Sequence, residues 1–287
     1  MDAKGRYVNL FTEYGFKKIF GDHANKELLL DFLNELLREE QGKIEDLHYL
    51  KTEQLALSRK DTVDLCCENE KGEKFVVGLR KSKYKFFSGR AHYCSSLPIW
   101  EQERRKKWEF DLVAVYTVAI LNFAFDEDKD CPKQYRYDVK LSNIESSRAG
   151  YEKLTFIYLE MPKFTKGLDE LETRLDKWLY VIGNLHRLDS IPEELQEEIF
   201  VRLFEAAEIS LFTKEQMLAY ENCLNYLRDV KSSLNTEFAE GWDRRVQNRQ
   251  IEVALEMLGE GEALDKIVSF SGLELAVVKA LDHKKRQ

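Results

Sequence analysis

The stretch Asp61–Lys81, DTVDLCCENEKGEKFVVGLRK, decides the fold. Two β-rich runs flank the polar turn Asn69-Glu70-Lys71-Gly72, where glycine supplies the position with positive φ. The segment therefore predicts a β-hairpin. Cys66 and Cys67 are neighbours on its first strand, so their side chains point to opposite faces. Neither they nor Cys94, Cys131 and Cys223 form a CxxC pair or accompany paired histidines, a pattern of reduced structural cysteines and not of a zinc site.

On the N-terminal side, FTEYGFKKIF (11–20) reads as a short helix. KELLLDFLNELLREE follows, with leucines and Phe32 at helical spacing, and Asn25 or His23 stands where a cap belongs. A strand-like passage covers Ile44–Leu57. On the C-terminal side, residues 85–107 fit a helix bent or broken at Pro98. FDLVAVYTVAILNF is a long apolar, β-branched run, as expected of a strand buried on both faces. YRYDVKLS and KLTFIYLEM are further strand candidates. From Leu168 the character changes to amphipathic helices: LDELETRLDKWLYVIGNL, PEELQEEIFVRLFEAA with Pro192 near its start, and TKEQMLAYENCLNYLRDV. From about Asn235 a charged helix leads into EALDKIVSFSGLELAVVKAL, which reads helix–turn–helix about Ser271-Gly272. The expected organisation is an α/β core over 1–165, a helical region over 166–236, and a charged helix plus small module over 237–287.

Composition sets the frame. The chain has 287 residues, 44% hydrophobic and 33% charged, with 4 prolines, as expected of a globular chain and not a disordered one. It contains no run of about 18 apolar residues, so no membrane span is expected. The opening MDAKGRYVNLFTEYGF lacks the apolar stretch of a signal peptide, so a cytoplasmic location is expected. The net charge of −8 argues against a generic nucleic-acid binder. Its distribution argues otherwise: from Lys74 to Trp100 there is no Asp or Glu, while Lys74, Arg80, Lys81, Lys83, Lys85 and Arg90 lie there and Arg104-Arg105-Lys106-Lys107 follows. A basic stretch on an acidic protein suits a phosphate-backbone partner, or is a solvated face.

A hairpin with an acid on its first strand, another on its second, and Lys or Gln two residues beyond is a metal-dependent phosphodiesterase arrangement. The carboxylates hold Mg²⁺, the metal activates water, and the Lys or Gln positions that water or stabilises the phosphate. FTEYGFKKIFGDHANKELLLDFLNELL, the hairpin with its continuation SKYKFFSGRAHYCSSLPIWEQ, and FDLVAVYTVAILNFAF together resemble the PD-(D/E)XK nuclease family transposases, also called recombination-promoting nucleases. The likeness covers roughly the first 165 residues and extends into the helical tail. It implies an α/β fold with a restriction-endonuclease-like core, a mixed sheet flanked by helices, followed by an α-helical C-terminal half. It also implies Mg²⁺ as cofactor and DNA as partner.

Carried over residue by residue, the resemblance puts Asp64 at the first metal acid. Position 78 should be Glu and is Gly78; position 80 should be Gln or Lys and is Arg80; Lys81 is kept. Glu13 corresponds to a helix carboxylate that completes the metal site in some members, and otherwise is a first-turn acid favoured by the helix dipole. Lys83, Lys85, Arg90 and Tyr93 fall where DNA would be met. His92 lacks a partner at ligand spacing and reads as a helix-face residue. Tyr84, Phe86 and Phe87 read as packing. Loss of one carboxylate should weaken Mg²⁺ binding, and Arg80 repels a cation while favouring a phosphate.

Three functions stay open on the sequence. The first is a DNA-binding family member whose cleavage is weakened or lost. The second is an active Mg²⁺-dependent endonuclease promoting recombination. The third is a scaffold whose acidic helical half binds a protein or a second copy. The terminal module either packs and assembles or reads DNA, although GLELAVVKAL carries few polar groups for base edges.

Overall fold

The computed structural model describes residues 5–38, 42–50, 62–80, 113–125, 131, 133–142 and 149–285. Two compact units divide the chain, Met1–Cys223 and Leu224–Gln287. Helices that the sequence sets apart from the α/β core by their character thus fold within the same unit as the sheet.

That sheet has six strands in the order β1-β2-β3-β4-β6-β5: β1 Leu47–Tyr49, β2 Thr62–Asn69, β3 Lys74–Arg80, β4 Val115–Leu121, β5 Arg136–Ser142 and β6 Ala149–Glu160. β2 and β3 form the expected antiparallel hairpin, closed by Gly72 at φ 79°. β3, β4 and β6 run parallel, and β1 and β5 close the edges antiparallel. The mixed sheet is the α/β architecture expected above. β3 and β4 are buried at every position, as expected of central strands covered on both faces; β4 is apolar but for Thr117, whereas β3 carries Lys74 and Arg80 at its ends. Of the passage 44–57, the strand is confined to Leu47–Tyr49 and residues 51–57 lie outside the described residues, as does the proposed helix 85–107.

Helices α1 (Glu13–Phe20), α2 (Lys26–Leu36), α3 (Arg174–Asn184) and α4 (Glu198–Ala207) complete this layer. α1 packs on β2, α2 and α4, and α2 packs on α3 and α4. Thr12 caps α1, its Oγ1 accepting from Gly15 N at 2.9 Å. Asn25 takes the N-cap position of α2 without a side-chain cap; its Nδ2 donates instead to Lys18 O and ties the two helices together. The helix read from Leu168 starts only at Arg174. Thr173 and Asp176 form a reciprocal capping box there, and Leu168–Glu170 is a separate 3₁₀ turn. The core gathers on Trp178, which is fully buried with its ring beside Phe20, Phe32 and Phe200 at centroid distances of 5.9, 5.8 and 5.2 Å.

Asp176 supplies a pH-dependent part of this stability. Burial alone would raise its pKa. Hydrogen bonds from Lys166 Nζ (2.9 Å) and Thr173 N (3.0 Å) outweigh burial and hold the carboxyl below the usual range. A depressed carboxylate stabilises the fold above the unfolded value, near 3.9, and loses that contribution as pH falls through the lowered folded value. Urea midpoints should therefore fall below about pH 4, and Asp176→Asn, weaker at pH 7, should lose less over the same window.

The second unit begins within α5 (Lys214–Gly259), a single helix that joins two sequence segments read separately. No proline interrupts it. Within this unit α6 (Leu264–Ser271) and α7 (Leu275–Lys285) flank Gly272, whose φ of 70° ends α6 in the left-handed region. Ala254, Ile267 and Val278 are its buried centre. Among the described residues no helix is long and apolar enough to cross a membrane.

Candidate functional site

The hairpin register places Asp64 directly opposite Gly78 and Thr62 opposite Arg80. Strand alternation sends Leu65 and Cys67 to one face and Asp64 and Cys66 to the other. The Leu65 face is the one α1 covers, because a Cβ at Gly21 would stand 3.0 Å from Leu65 Cδ2. On that face burial, and then Cys66, push the Cys67 thiol upward, which leaves it protonated and inert.

On the Asp64 face the carboxylate has a cation beside it. Arg80 Nη1 lies 2.7 Å from Asp64 Oδ1, and the two side chains are only 3% and 7% exposed. Directly opposed residues in an antiparallel pair are close, and diagonal neighbours lie about 7–8 Å apart, within reach of an arginine. The pair is diagonal: Arg80 is two residues beyond Gly78 on the same strand and reaches back past the glycine. The approach is that of an ion pair, not of an aligned hydrogen bond; the hydrogen bond from Nη1 goes to Leu79 O at 3.0 Å. Arg80 Nε is buried and has no hydrogen-bond acceptor among the described residues.

Lys74, the first cation of the acid-free stretch, is also consumed internally. It stands opposite Glu68 in the register, pairs with it, and is buried. The two cations of Lys74–Arg90 within the described residues, Lys74 and Arg80, are therefore counter-charges inside the fold and not parts of a basic surface. Lys81, Lys83, Lys85, Arg90 and Tyr93 lie outside the described residues. Glu13 heads α1 as a first-turn acid, 41% exposed, with Oε1 2.6 Å from Lys17 Nζ.

The parallel strands bring other groups level with this end of the sheet. Across from Gly78 stand Ala119 and then Tyr158; across from Arg80 stand Leu121 and then Glu160. Burial raises the Tyr158 pKa and Arg80 opposes that rise. Phe125 packs edge-on against Tyr158 at 5.9 Å. Glu160 is fully buried: Lys163 Nζ lies 2.6 Å from its Oε2, and Phe125 N donates to its Oε1 at 2.8 Å. Lys163 Nζ also donates to Tyr137 Oη at 2.9 Å.

These residues do not fit the Mg²⁺ centre that the resemblance implies. Mg²⁺ wants several hard oxygen donors about 2.1 Å away. Gly78 offers no side-chain donor, and the Asp64 carboxylate already lies against a permanent cation. Glu160 is no substitute, since two strand spacings separate it from Arg80, about 10 Å, and Lys163 holds it. Among the described residues no three His, Cys, Asp or Glu groups gather as a metal site.

The sequence points to Asp64, Gly78 and Arg80 separately, and the structure brings them together. It does not anticipate that Arg80 pairs with Asp64. The signal was present: with a four-residue turn ending at Gly72 the register is fixed, and the diagonal follows. The Lys74–Glu68 pair was legible from the same register.

A family model described as PD-(D/E)XK nuclease family transposase matches residues 10–237, well over half of the chain. Among curated proteins and among solved structures, nothing matches it.

Proposed function

Because the chain belongs to the PD-(D/E)XK nuclease family transposases, we propose that it is a DNA-binding member that has lost metal-dependent cleavage. The observation that carries this reading is the buried Asp64–Arg80 ion pair opposite Gly78. One family acid is replaced by hydrogen, and the other faces a guanidinium where a divalent ion would have to sit. A second positive charge next to Arg80 is opposed by direct repulsion in a low-dielectric setting. We therefore assign no catalytic step to a metal, and Asp64 acts as the structural partner of Arg80. Glu13, where some members complete the metal shell, serves the first turn of α1 and Lys17.

DNA contact is assigned to the cations that follow Arg80 in the sequence. Lys81, Lys83, Lys85 and Arg90 supply the charge for the phosphate backbone, with Tyr93 beside them, in place of Lys74 and Arg80. Each phosphate neutralised by a lysine releases a counterion, so affinity falls with salt at a slope of about −0.9 per contact on duplex DNA. A mobility-shift titration on a short duplex in EDTA should show salt-sensitive binding. The variant Lys83→Gln/Lys85→Gln should bind more weakly, with a slope shallower by about 2. No binding at low salt would sink the DNA assignment and favour the scaffold.

A further inference from the structure

We infer that Arg80 is the built-in counter-ion of Asp64, so that positions 78 and 80 are interlocked and a carboxylate restored at 78 alone gains no metal. This rests on the reading of the site as one that has lost cleavage, and deepens it. Three observations carry it. First, Gly78 stands level with Asp64, so a side chain at 78 would project beside that carboxylate. Second, residues 78 and 80 share a face of one strand at about 6.6 Å separation, so a carboxylate at 78 would also lie within reach of the guanidinium. Third, Arg80 enters this space incompletely satisfied, with Nη1 on Asp64 Oδ1 and Leu79 O and with a buried Nε that has no acceptor among the described residues.

A guanidinium presents five donors in a fixed fork and takes carboxylates in preference to other partners. A glutamate at 78 therefore meets a cation that is tethered, buried and short of an acceptor before it meets a dissolved ion. The outcome is a carboxylate–guanidinium–carboxylate trio. Its second acid improves the hydrogen bonding of Arg80 and leaves the metal donors occupied. The opposite single change, glutamine at 80, removes the guanidinium from beside a buried carboxylate, costs stability, and adds no second carboxylate to it; among the described residues no other acids gather there to hold an ion. Only the joint change clears the cation and supplies the second acid. The chain thus sits in a state from which neither single reversal leads back to a metal centre.

The test uses four full-length proteins, the parent, Gly78→Glu, Arg80→Gln and the double variant, each melted in EDTA and in millimolar Mn²⁺ or Mg²⁺. Gly78→Glu should show no metal-dependent shift, whatever its melting temperature. Arg80→Gln should melt roughly 10 °C lower, also without a metal shift. The double variant should rise by roughly 5–10 °C on adding metal, the response to an ion present at about a hundred times its dissociation constant. A metal-dependent rise of about 5 °C or more in Gly78→Glu would overturn the interlock while leaving the proposed function intact. So would a well-folded double variant that ignores metal. A metal shift in the parent that Asp64→Asn abolishes would overturn the proposed function itself. The deciding arm, Gly78→Glu, keeps the ion pair and does not depend on Arg80→Gln folding.

Discussion

Replacing Arg80 by leucine is expected to lower the unfolding free energy by about 3–5 kcal/mol, because it removes the cation that lies 2.7 Å from a buried carboxylate. Asp64→Asn should also be costly, since it leaves the buried guanidinium without a counter-charge. Removing both charges is another matter. A buried pair spends much of its Coulomb energy on desolvation, so replacing both members by neutral groups of similar volume is often close to neutral. The double variant Asp64→Asn/Arg80→Leu should therefore recover at least half of the summed loss. Urea denaturation of the four proteins gives the coupling directly, provided the slope of stability against urea stays constant across the set. Additive losses would mean that the two charges do not sustain one another, and that another group balances each of them.

The second large effect is predicted far from this pair. Trp178 on α3 touches Phe20 of α1, Phe32 of α2 and Phe200 of α4, and its Nε1 donates to Asp31 Oδ2 at 2.7 Å. One side chain thus joins four helices. Trp178→Ala should cost about 3–5 kcal/mol through lost burial and an uncollapsed cavity. Trp178→Phe keeps most of the ring contact and removes the donor. Asp31 remains paired with Arg174 Nη2 at 3.0 Å, so the cost of losing that hydrogen bond should be near 1 kcal/mol. The gap between the two variants, read from denaturant midpoints, separates packing from hydrogen bonding. A Trp178→Ala loss no larger than that of Trp178→Phe would show that the helices do not depend on this residue.

The sheet was legible in the sequence wherever local chemistry and hydrophobic period agreed. The β2–β3 hairpin follows from alternation and one glycine at a turn. The double burial of β4 follows from an unbroken apolar run. Asp64 and Gly78 could be set opposite one another for the same reason. Helix starts were less legible: Leu168–Thr173 carries helical spacing, yet the Thr173–Asp176 capping box starts α3 later, and a cap outweighs a weak propensity. The fate of the cations was hardest to read. Lys74 and Arg80 look like members of a basic stretch in linear order, but register puts Glu68 opposite the first and Asp64 diagonal to the second. Charge along a chain reports solubility and partners, whereas charge across a register decides which cations are spent inside the fold.

From sequence, Arg80 is a fixed positive charge available to a phosphate. In the fold it is buried against Asp64, and under the proposed function phosphate contact is therefore assigned to the cations that follow it in the sequence and metal exclusion to Arg80 itself. The most direct measurement is conversion of supercoiled plasmid to nicked and linear forms by the full chain, with Mg²⁺ and separately with Mn²⁺, beside Asp64→Ala. The parent is expected to leave the plasmid supercoiled, indistinguishable from Asp64→Ala. Metal-dependent cleavage by the parent that disappears in Asp64→Ala would contradict it.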